Sequence, residues 1–139
     1  MWMLLQESIG RGRTVMAKMM RVLIADDEPA VRSALRLILQ DEPGVSIVSE
    51  VEGSDDLETQ LHRYTPDVML LDWELPDMRP DRLLPSLRVL HPRLKVVALS
   101  GRPEALRQAA AAGVDAFVSK GSAPDELLSV LRDLKVSHG

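Results

Sequence analysis

The chain predicts an α/β fold, a doubly wound parallel sheet of five strands. Three observations carry that expectation. Short apolar runs, Val22-Leu23-Ile24-Ala25, Val68-Met69-Leu70-Leu71, Val96-Val97-Ala98-Leu99 and Ala116-Phe117-Val118-Ser119, alternate with longer stretches of helical period, which is the pattern of repeated βα units. Three of these runs are apolar throughout and the fourth nearly so, as expected of strands buried on both faces of a parallel sheet. They lead into Asp26-Asp27, Asp72, Ser100 and Lys120 respectively. If the strands are parallel, these residues gather along one sheet edge, where open α/β sheets hold their ligands.

Each element follows in order. After the first strand and Glu28, a helix from about Pro29 to Gln40 places Val31, Ala34, Leu35 and Ile38 on one face, with Pro29 suited to its first turn. Gly44 ends that segment. Val45-Ser46-Ile47-Val48-Ser49-Glu50-Val51 alternates as a half-buried strand does, which suits a sheet edge. A second helix is expected after Ser54, capped by its hydroxyl, with Asp55 and Asp56 in the first turn and Leu57 and Leu61 facing inward. The Tyr64-Thr65-Pro66-Asp67 turn starts the central strand. Beyond Asp72, a loop through Pro76 and Pro80 reaches a third helix bearing Leu83, Leu84, Leu87 and Leu90, which His91-Pro92 closes. The fourth helix opens near Pro103-Glu104, runs through Ala109-Ala110-Ala111-Ala112 and stops at Gly113, a residue that tolerates positive φ. The last helix takes Ser122 as its N-cap and carries the apolar stripe Leu127, Val130, Leu131 and Leu134. A strand order of 2-1-3-4-5, the flavodoxin-like arrangement, sets the first strand beside the third and brings Asp26, Asp27 and Asp72 into one crevice.

Composition agrees with one domain. At 139 residues and 45% hydrophobic, the chain can bury a sizeable core, built from aliphatic side chains because it has only one Phe, one Tyr and two Trp. Absence of cysteine excludes disulfides, thiolate metal sites and a cysteine nucleophile, and accords with a reducing cytoplasm. His62, His91 and His138 show no ligand spacing. Arg11, Arg13 and Lys18 against Glu7 give the first twenty residues +2, so residues 21–139 carry -6 of the net -4. Such a domain lacks the basic footprint of a nucleic-acid binder, and no run reaches the length of a membrane span. Residues 1–20 read as an N-terminal extension, with Met16, Met19 and Met20 as alternative starts, residues 21–136 as the domain and residues 137–139 as a tail.

The residues at the strand ends define a chemistry. Clustered carboxylates repel one another unless a cation neutralises them, and an all-oxygen site of this kind suits Mg²⁺. A carboxylate nucleophile, a divalent cation, a hydroxyl and a lysine together describe an aspartyl-phosphate site.

At residues 21–136 the chain resembles the receiver domain of bacterial two-component response regulators. The acidic pair matches Asp26-Asp27, the phosphoacceptor Asp72, the hydroxyl switch Ser100, the aromatic switch Phe117 and the lysine Lys120; Pro76 also stands in the family's usual place. The resemblance implies Mg²⁺ held directly by Asp27, Asp72 and the Glu74 backbone carbonyl, with Asp26 acting through water. It implies a phosphoryl donor, a histidine kinase or phosphotransfer protein, and a signalling role rather than that of an enzyme. It also implies a downstream protein contacted through the face of the fourth helix, fifth strand and fifth helix, leaves a homodimer open, and points to the cytoplasm, away from nucleic acid and membrane. Three departures stand out: Pro80 where a glycine is common, a shortened stretch between Ser100 and Lys120, and Gly121 in place of a frequent proline, so that no cis peptide is expected there. Two rival readings are a phosphorylation-independent pseudo-receiver and a haloacid dehalogenase-type phosphatase, in which Glu74, two residues after Asp72, would be the general acid/base.

Overall fold

The computed structural model describes residues 18–138. Its elements are β1 (Met20–Ala25), α1 (Pro29–Gln40), β2 (Val45–Val51), α2 (Leu57–Tyr64), β3 (Val68–Asp72), α3 (Pro80–Leu90), β4 (Lys95–Ser100), α4 (Ala105–Ala112), β5 (Ala116–Ser119) and α5 (Pro124–His138). The five strands pair in parallel in the order β2-β1-β3-β4-β5, the flavodoxin-like order expected from the sequence. Most of the N-terminal extension lies outside the described residues, while Met20 is already buried as the first residue of β1.

The pleat sorts alternate strand residues into two core layers. Leu23, Ala25, Met69, Leu71, Val96 and Ala98 pack with Leu57, Leu61, Leu84, Leu87, Ala105 and Ala109, so α2, α3 and α4 cover one face. Val22, Ile24, Val68, Leu70, Val97 and Leu99 pack with Leu35, Leu39, Leu127 and Leu131, so α1 and α5 cover the other. β1, β3 and β4 are enclosed on both sides, which is why they read as continuous apolar runs; β2 at the edge is half-buried almost throughout. Each fully buried leucine contributes roughly 1.5–3 kcal/mol. No helix among the described residues is long and apolar enough to cross a membrane.

Two helix starts depart from expectation, those of α2 and α5. Ser54 does not cap α2: its hydroxyl donates to the carbonyl of Asp77 at 3.2 Å, and the helix starts at Leu57 with no side-chain cap bond from Asp56. α4 starts at Ala105, directly after Glu104 as expected, whereas α5 starts at Pro124, directly after Ala123, which leaves Ser122 one residue short of the cap position. At α5 the reason is proline. Pro29, Pro80 and Pro124 each open a helix; proline brings a helical φ and lacks the N–H that a cap would satisfy. Within α3, Leu84 and Leu87 are buried while Leu90 is exposed at the helix end. Gly113 ends α4 at φ +94, as expected.

Candidate functional site

Register decides which side chains meet. Ala25 lies opposite Leu71, so the next residues, Asp26 and Asp72, stand level at the carboxyl end of the sheet. Ser100 pairs with Ser119, and the Lys120 amide donates to the Ser100 carbonyl at 2.9 Å, which fixes the lysine beside the same edge.

Local turns then aim the side chains. An Asp26 Oδ1 oxygen accepts the Glu28 amide at 2.9 Å, and Asp72 Oδ1 accepts the Glu74 amide at 2.9 Å. Ser100 Oγ accepts the Arg102 amide at 3.0 Å, and Ser119 Oγ the Gly121 amide at 3.2 Å. All four are the two-residue side-chain turns that Asp and Ser favour. Among the described residues no peptide bond is cis, Lys120-Gly121 included.

Asp26, Asp27 and Asp72 can each offer one oxygen within 4.8 Å of the others, Asp26 and Asp72 being buried and Asp27 exposed. The Lys120 ammonium stands 3.0 Å from Asp26 Oδ2, 3.2 Å from Asp72 Oδ1 and 3.8 Å from Glu28 Oε1. Burial holds the Asp72 carboxyl above its ordinary range, and the negative charge of Asp26 adds to this against the opposing Glu74 amide and Lys120. For Lys120 burial disfavours the charged form, but the carboxylates of Asp26 and Asp72 beside it outweigh that and hold its pKa above the ordinary lysine value. Asp26 Oδ2 is buried and makes no hydrogen bond, the ammonium being near without hydrogen-bond geometry. A buried oxygen left in that condition, inside a set of three carboxylates, fits a hard divalent cation as a further partner.

Ser100, the last residue of β4, is fully buried. Its hydroxyl donates to the Glu74 carboxylate, at 2.9 Å from Oε2 and 3.0 Å from Oε1. The Arg102 guanidinium closes over the pair, with Nη2 at 3.1 Å and Nε at 3.2 Å from Glu74 Oε2. Phe117 is half-buried opposite Ala98 and packs on the core layer beneath α4.

Sequence reasoning missed three of the residues around this edge. Arg32 donates to the Asp26 carbonyl at 2.6 Å and pairs with Glu50 at 3.4 Å, bracing the acidic pair from α1. Arg102 is another, and the third is Glu74, whose side chain was weighed only as a general acid/base and not as a partner of Ser100. For Glu74 and Arg102 the one signal was their offset: both stand two residues beyond a strand-end residue, on neighbouring strands whose register pairs Asp72 with Leu99.

Known proteins place this geometry in a family. Residues 22–132 match the response regulator receiver domain. Response regulator GacA of Pseudomonas viridiflava is 30% identical over 82% of this chain and 54% of its own length, and response regulator UvrY of Escherichia coli is 30% identical over 84% and 54%. The chain thus spans about half the length of these relatives. The isolated REC domain of RcsB from Salmonella enterica, solved in the presence of the phosphomimetic BeF3-, superposes with a TM-score of 0.77 at 27% identity, over 86% of this chain and 90% of that one. The receiver domain of the response regulator NarL from Mycobacterium tuberculosis gives 0.77 at 25%, over 86% and 98%. With its sheet order, its acidic pocket and the extent of these matches, the chain belongs to the response regulator receiver family.

Proposed function

We propose that the chain accepts a phosphoryl group on Asp72 from a phosphohistidine of a histidine kinase or phosphotransfer protein. One observation carries the reading: a single ammonium, Lys120, lies against both Asp26 and Asp72 at the edge of a pocket of three carboxylates. In the transfer an Asp72 oxygen attacks phosphorus, the bond from phosphorus to the imidazole nitrogen breaks, and that nitrogen keeps the electron pair. The product is an acyl phosphate, which water later hydrolyses to the free carboxylate and phosphate. Asp27, Asp72 and the Glu74 carbonyl would hold Mg²⁺, with Asp26 acting through water. When bound, the ion supplies positive charge against the phosphoryl oxygens. Lys120, close enough to reach an oxygen on Asp72, turns its charge toward the phosphoryl group.

Readout follows from Ser100 and Phe117. Ser100 donates its hydroxyl to the phosphoryl group, Phe117 moves further in, and the surface of α4, β5 and α5 shifts toward a second arrangement that a protein partner binds. The phosphatase reading loses its acid/base, because the Glu74 carboxylate is engaged by Ser100 and Arg102 instead of standing free beside Asp72.

Incubation with Mg²⁺ and acetyl phosphate, followed by intact-mass measurement, tests the proposal. A gain of one phosphate that is lost with a chelator and in Asp72→Asn is the expected result. Labelling that survives Asp72→Asn would overturn it, and no labelling under any condition favours the pseudo-receiver.

A further inference from the structure

A hydroxyl has one proton to give, and that of Ser100 is committed. It goes to the Glu74 carboxylate, while the oxygen accepts the Arg102 amide. Ser100 is fully buried, so water does not compete for it. Charge assistance strengthens such a bond well beyond a neutral one. The Arg102 guanidinium keeps the carboxylate in place through two donors on the same oxygen. Glu74 is itself anchored from behind, since its amide is bonded to Asp72 Oδ1. The residue that follows the phosphoacceptor by two positions is therefore tied to Asp72 by its backbone and to Ser100 by its side chain.

We propose that Glu74 and Arg102 are positioning residues that latch Ser100 in the resting state, an inference that rests on the phosphoacceptor role assigned to Asp72. While the latch holds, the Ser100 proton is unavailable to a phosphoryl oxygen. A phosphoryl group on Asp72 opens it in two ways. Its charge repels the Glu74 carboxylate and attracts the Arg102 guanidinium, and its oxygens offer the hydroxyl a new acceptor. The latch sets the fraction of molecules competent to respond, and the apparent affinity for a phosphoryl mimic falls by that fraction.

The test is a double-mutant cycle on the whole chain with Mg²⁺ and beryllofluoride, using wild type, Glu74→Ala, Ser100→Ala and the double variant. Apparent affinity is read from amide NMR shifts over residues 101–121. Glu74→Ala is expected to raise the affinity by about tenfold or more, as release of one charge-assisted hydrogen bond implies. In the Ser100→Ala background that gain should vanish, because no hydroxyl is left to release. A gain of equal size with Ser100→Ala would overturn the latch and assign the effect to direct repulsion between Glu74 and the anion. No gain in Glu74→Ala would overturn it too. Should Glu74→Ala fail to fold, Arg102→Ala replaces it: a smaller gain in the same direction is expected, and none would sink the inference. Wild-type protein that binds no beryllofluoride would sink the phosphoacceptor reading itself, whereas wild-type binding without the coupled gain sinks the latch alone.

Discussion

Asp72 is a charge that the folded protein disfavours in the absence of a cation. Because its folded pKa lies above the unfolded one, the folded state binds more protons, and stability falls as pH rises from the ordinary value of 3.8 through the raised value. Above that window the penalty is fully present. Asp72→Asn removes it without changing shape, so the variant should melt above wild type at pH 7 in metal-free buffer, and the difference should shrink toward zero as pH falls through the same window. Thermal melts of both proteins across pH, with a chelator present, check this. That Asp26, Asp27, Asp72 and Lys120 gather at one edge was legible from strand ends alone, because a buried apolar run ending in a polar residue marks the sheet edge. Glu74 with Ser100 and Arg102 was not, since which side chains meet across two strand ends depends on register and rotamer.

Three of the five helices among the described residues, α1, α3 and α5, begin with proline. That choice explains why Ser122 was misplaced as a cap: the sequence offered two adequate signals and the fold used the backbone one, whereas Ser54 is drawn off to the Asp77 carbonyl. Proline also appears where it disfavours the helix. Pro85 is the sixth residue of α3, and its missing N–H leaves the Asp81 carbonyl without its helical donor. The side chain is exposed, so no packing depends on it. Pro85→Ala should stabilise the protein by about 1–3 kcal/mol, the range set by the interior cost of proline, and a shift of the urea midpoint to higher concentration without a change in slope would register it. The opposite sign would mean that a bend at Pro85 is needed to dock Leu84 and Leu87.

Across the molecule, the last helix is fastened to the loop between α1 and β2. Arg132 holds Glu42 with two bonds, at 2.8 and 2.9 Å, and the Lys135 ammonium reaches the Gly44 carbonyl at 3.4 Å. The same carbonyl receives the Met20 amide at 2.7 Å, so Gly44 joins the start of β1, the approach to β2 and the end of α5. Its φ is +81, and a Cβ there would run into the Lys135 ammonium. Gly44→Ala should cost about 1–2 kcal/mol from the backbone alone, measurable by urea denaturation, with faster amide exchange at the end of α5 as its local sign. The sequence showed Gly44 as a terminator; that it also anchors a helix ninety residues away could be seen only once the fold had closed.

The two-residue turns at the strand ends bear on binding entropy. Asp26, Asp72 and Ser100 each close a small ring onto their own backbone, so their rotamers are settled by neighbours two positions away and not by whatever enters the pocket. Asp26 and Asp72 surrender their rotational freedom when the strands end, so that of the three carboxylates only exposed Asp27 would be left for a cation to order. Such preorganisation lets a shallow, partly open site bind selectively with few contacts, because the free energy of association is not spent on ordering the ligands first.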